Sequence, residues 1–108
     1  MSINLPRPVA DYFAAEAAHN FRAVAQCFAA DAVIKDEGRD ISGNAAIEQW
    51  IATAQKKYQH TTEPLSITPQ QGKVVVAAKV SGNFPNSPVT LNHVFGLEGD
   101  KIKSLWIH

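Results

Sequence analysis

A chain of 108 residues with ten basic and ten acidic side chains has room for one domain around one core. The balanced charge leaves no electrostatic footprint for nucleic acid or an anionic membrane. Apolar and charged fractions of 45% and 19% are those of a globular protein, and no apolar run approaches the ~20 residues of a membrane span.

The opening Met-Ser-Ile-Asn-Leu-Pro-Arg-Pro lacks the apolar core of a signal peptide, so a cytoplasmic location is expected. The single Cys27 excludes an intrachain disulfide and any cysteine-cluster metal site. In its Ala-Gln-Cys-Phe setting it reads as a small core residue.

Pro6 and Pro8 suit the lead-in to a first helix with Val9, Tyr12, Phe13 and Ala17 on one face. His19-Asn20 ends it, and Asn20 can cap a second helix whose buried stripe is Phe21, Val24, Ala25 and Phe28. Residues 31–36 read as a strand ending in the acidic pair Asp36-Glu37, with Gly38-Arg39-Asp40 as a turn into Ile41. Ser42-Gly43-Asn44 supplies cap chemistry for a third helix with the stripe Ile47, Trp50, Ile51, Ala54 and Tyr58.

The second half reads as an antiparallel meander. A short strand over 65–68 is weakened by Pro64 and ended by Pro69-Gln-Gln-Gly72. A Val-rich strand over 73–84 turns at Pro85-Asn-Ser-Pro88 and returns over 89–98, and Gly99-Asp100 turns again into 101–107. Helices followed by consecutive strands predict an α+β domain with the helices on one face of the sheet.

This order, with Phe28-Ala-Ala-Asp31-Ala, Asp36, Gly43 and Ala46-Ile47, resembles the nuclear transport factor 2-like superfamily, and within it the SnoaL-like polyketide cyclases and ketosteroid isomerases. The resemblance covers the whole chain as a single domain, 1–108. It implies a cystatin-like cone, a curved antiparallel sheet wrapped around three N-terminal helices. That scaffold hosts isomerases, cyclases, dehydratases, epoxide hydrolases and binding modules, so it fixes fold and leaves activity open.

Ketosteroid isomerases carry a tyrosine on the first helix and a catalytic aspartate at the end of the first strand. Tyr12 and Asp36 match that spacing without a gap. The second acid of those enzymes falls at His93 or Asn92. Alternation favours His93, which shares a strand face with Leu91, Phe95 and Leu97. Two departures stand out: a histidine replaces that acid, and Glu37-Gly38 follows where the isomerases usually have proline.

By resemblance, Asp36 is the candidate base, removing a proton next to a carbonyl, with Tyr12 and His93 as donors to the enolate oxygen. Ketosteroid isomerases use this division of labour, one base with a two-donor oxyanion hole. Isomerisation, aldol-type cyclisation and dehydration would all use these parts. Phe13, Phe28, Trp50, Tyr58, Phe84, Phe95 and Trp106 are candidate walls for a small hydrophobic substrate, although Trp50, Tyr58, Phe84 and Trp106 read first as core. Tyr12 and His93 have ordinary core readings too, and Asp36 that of a solvated turn residue.

His19, His60, His93 and His108 lack metal-ligand spacing, and no cofactor is expected. Arg39-Asp40 resembles the Arg/Asp pairing of epoxide hydrolases on this scaffold, but falls in an expected turn. Glu37 is expected at the surface, and Lys73, Lys79, Lys101 and Lys103 on a solvated side of the sheet. An outer sheet face carrying Val75, Ala77, Val94 and Ile107 predicts a homodimer through the sheet. The alternative to an enzyme is a ligand-binding or dimerisation module of the same fold.

Overall fold

The computed structural model describes residues 4–108, so Met1 to Ile3 of the opening segment lie outside the described residues. Its elements are α1 (Arg7–Ala17), α2 (Phe21–Gln26), β1 (Phe28–Asp36), β2 (Arg39–Ser42), α3 (Asn44–Tyr58), β3 (Thr61–Gln70), β4 (Lys73–Ser81), β5 (Val89–Glu98) and β6 (Lys101–Ile107). The strands form one sheet in the order β2-β1-β6-β5-β4-β3. Curved around the three helices, this is the expected cone.

Local chemistry sets several boundaries. Asn20 caps α2 as expected, its Oδ1 accepting from the Ala23 amide at 3.2 Å. Phe28, expected on α2, opens β1 instead, because it pairs with Ile102 where β1 runs parallel to β6. Glu37 and Gly38 form the whole β1–β2 turn, both at positive φ (52° and 74°), as a two-residue hairpin with right-handed twist requires. Arg39 and Asp40 therefore belong to β2 rather than a turn, opposite Asp36 and Lys35. The expected side-chain cap of α3 is not made. Asn44 instead donates to the Ala25 carbonyl at 2.8 Å, tying α3 to α2.

Strand β3 is much longer than the four residues expected. Its prolines are tolerated because it is the sheet edge, and a bulge falls between Pro64 and Ser66. Strand β4 ends at Ser81, and the chain bends at Gly82, where a Cβ would lie 2.7 Å from the Tyr58 carbonyl oxygen. Only glycine admits that approach.

The sheet has two unlike faces. On the concave face, Ile34, Leu105 and Phe95 pair side by side across β1, β6 and β5. All are at most 1% exposed. Tyr12, Phe13, Phe28 and Phe95 then form an aromatic cluster, with ring centroids 5.1–5.9 Å apart in edge-to-face contact. On the outer face the register aligns Thr68, Val75, Val94 and Trp106 in one row. Trp106 there is 53% exposed. Ile107, expected outside, is a correction: with Trp106 pointing out, strand alternation turns Ile107 into the cone.

Candidate functional site

Beyond the aromatic cluster the cone is open. A cavity of about 240 Å³ lies between α1, α3 and the far ends of β1, β4, β5 and β6. That is slightly below the usual range for drug-sized ligands.

Each wall follows from local periodicity. Along β1, alternation carries Ala32 and Ile34 into the core and delivers Asp36 to the same face at the strand's last position. One turn of α1 separates Tyr12 from Glu16, and both line the cavity. Trp50, Ile51, Ala54 and Tyr58 come from the inward face of α3, and Leu91 and His93 from β5. Phe84 closes one side from the loop after β4, its ring 5.9 Å from and nearly perpendicular to that of Tyr58.

Asp36, Tyr12 and His93 thus line one cavity. The indole of Trp50 donates to Asp36 Oδ2 at 3.0 Å and fixes the carboxylate. Partial burial raises the Asp36 pKa and Glu37 adds to it, against the opposing effects of the Trp50 bond, Arg39 and His60. Burial raises the Tyr12 pKa well above its ordinary value, helped by the charges of Glu16 and Asp36. Tyr12 therefore stays a hydrogen-bond donor at neutral pH. Burial lowers the His93 pKa, opposed by Glu16 and the nearby Leu91 carbonyl. Its Nδ1 is buried without a hydrogen-bond partner of good geometry among the described residues.

The aromatic walls divide. Trp50, Tyr58 and Phe84 line the cavity. Phe13, Phe28 and Phe95 do not: they belong to the packed cluster beneath it. Trp106 is on the opposite face of the sheet, its ring 4.2 Å from that of His108. Glu37 is exposed as expected, but it stands at the cavity rim and accepts from the Tyr58 hydroxyl at 3.3 Å.

Among the lining residues that the sequence did not single out are two that can carry protons. Glu16 Oε2 and His60 Nε2 are 2.9 Å apart, with side chains only 8% and 9% exposed. Glu16 could have been found one helical turn beyond Tyr12. His60 was hidden because β3 was expected to begin at Leu65, which left its inward parity with Thr62 unread. The cavity thus gathers Glu16, Asp36 and Glu37 with two histidines, and among the described residues no lysine or arginine lines it. Among the described residues, no group of three or more His, Cys, Asp or Glu could hold a metal ion, and no helix is long and apolar enough to cross a membrane.

Relatives carry the same architecture. A candidate polyketide cyclase from Sinorhizobium meliloti is 41% identical over 96% of this chain and 95% of its own, with a TM-score of 0.92. A protein of ketosteroid isomerase-like fold from Catenulispora acidiphila, solved with trimethylamine, is 20% identical over 97% and 86%, with a TM-score of 0.84. The epoxide hydrolase/cyclase-like enzyme SalBIII, of pyran ring formation in the polyether salinomycin, is 24% identical over 93% and 85%, with a TM-score of 0.78. The last two likenesses show the fold alone. No curated protein matches the chain. The sequence profile of the SnoaL-like domain matches residues 9–105, and the chain belongs to that family.

Proposed function

We propose that the cavity performs acid–base chemistry, of isomerase, cyclase or dehydratase type, on a small, uncharged, largely apolar carbonyl compound. One observation carries the reading: a carboxylate of raised pKa, Asp36, is held by Trp50 on the wall of an apolar cavity. Asp36 takes a proton from the carbon next to the carbonyl. The cost of leaving water makes it a stronger base than a solvated aspartate. Tyr12 and neutral His93 donate to the oxygen on which charge develops. An anionic substrate is disfavoured, since Glu16, Asp36 and Glu37 line the cavity while no lysine or arginine among the described residues does, Arg39 acting on Asp36 only from the neighbouring strand. The 41% identical relative, a candidate polyketide cyclase, supports the same class of chemistry.

The test is deuterium exchange next to the carbonyl of a small aryl ketone in D₂O. Asp36→Asn keeps shape and should slow exchange by ~10²–10⁴-fold. Ligand-induced stabilisation with no exchange by the wild type would favour a binding module instead.

We also infer a homodimer through the outer sheet face, supported by the row Val75, Val94 and Trp106. Trp106→Lys should shift equilibrium sedimentation at micromolar concentration from dimer to monomer. A wild type that sediments only as monomer rules the dimer out.

A further inference from the structure

We propose that the Glu16–His60 pair is a second acid–base unit of the cavity, and that the reaction is elimination of water from a β-hydroxy carbonyl compound. The inference rests on the reading of Asp36 as base and specifies the reaction of that same site.

An isomerase needs one base, which takes a proton and returns it, plus donors to the enolate oxygen. Asp36, Tyr12 and His93 already fill those roles. A buried histidine–carboxylate contact beside them is surplus to isomerisation, and burying such a pair carries a desolvation cost. Glu16 and His60 come from separate elements, α1 and the residue before β3, and meet at 2.9 Å at the cavity wall. The groups facing them are Tyr12 from α1, Asp36 from β1, Tyr58 from α3 and His93 from β5. Asp36 and His93 are near enough to feel the charge of His60, and Tyr12 and His93 that of Glu16.

Elimination uses both ends. The α C–H bond breaks and its proton goes to Asp36, while the electron pair forms the C=C bond. The β C–O bond breaks with its pair on oxygen, and a proton from the His60 ring converts that oxygen into water. Hydroxide is a poor leaving group, so this delivered proton is what a second acid adds. Glu16 is a positioning residue: its carboxylate, 2.9 Å from His60 Nε2, orients the ring. Solvent later removes the proton from Asp36 and restores the one on His60. No redox change occurs.

The probe is the benzaldehyde–acetone aldol in D₂O, with benzylideneacetone followed by ultraviolet absorbance and α-deuterium incorporation by NMR. The wild type should do both. In His60→Gln and Glu16→Gln, the ratio of elimination to exchange should fall by ~10²-fold, a change of partition that a purely structural role would not give. Exchange without elimination by the wild type, or an unchanged ratio in both variants, overturns the proposal and leaves the base intact. Neither exchange nor elimination by the wild type overturns the Asp36 reading itself, and this one with it.

Discussion

The cone is built from one sheet and one set of helices, yet its two halves end differently. In the half floored by Ile34, Leu105 and Phe95, the aromatic rings of Tyr12, Phe13 and Phe28 fill the space between helices and sheet. In the other half, the inward positions include the polar side chains of Asp36, Glu16, His60 and His93, flanked by Trp50, Tyr58 and Phe84, and a cavity remains. Tyr12 belongs to both, with its ring in the cluster and its residue on the cavity wall. The packed half supplies rigidity and the open half spends some stability on polar groups, a division expected of a functional site.

Mutations should separate the halves. Phe95→Ala removes the centre of the cluster and should cost ~3–5 kcal/mol, read by denaturant unfolding. Phe84→Ala, at the cavity rim and only half-buried, should cost much less while altering ligand binding. Equal losses at both sites would erase the distinction.

Gly82→Ala tests the junction. Its Cβ would meet the Tyr58 carbonyl at 2.7 Å, and the same carbonyl accepts from the Asn83 amide at 2.7 Å. The loop carrying Phe84 must move, at a cost of ~1–3 kcal/mol.

The smallest effect is the most diagnostic. The Asp36 pKa is raised in the folded protein, so folding favours its protonated form. That contribution is fully present below the unfolded value of ~3.9 and is lost as pH rises through the higher folded value. Asparagine imitates the protonated acid and can still accept from Trp50. Asp36→Asn should therefore match the wild type in acid and melt higher at neutral pH. A lower melting temperature at neutral pH would make Asp36 a structural residue.

What the sequence could disclose follows the same division. Periodicity located the three helices, and alternation assigned His93 to the inner face, because burial leaves a regular pattern. The prolines of β3 hid six of its ten residues, since an edge strand tolerates what a central strand does not. Composition alone could not sort the aromatics: Phe95 and Phe84 look alike in sequence, and only distance along the cone makes one core and the other rim. The Glu16–His60 contact joins residues 44 apart, beyond the reach of any local pattern.

Whether Asp36 acts as the base is the central question, and the pH profile of α-deuterium exchange tests that role most directly. The rate should rise with ionisation of the Asp36 carboxyl, with a midpoint above the ~3.9 of a solvated aspartate, and this limb should vanish in Asp36→Asn. An exchange rate and pH profile that survive the substitution unchanged would contradict it.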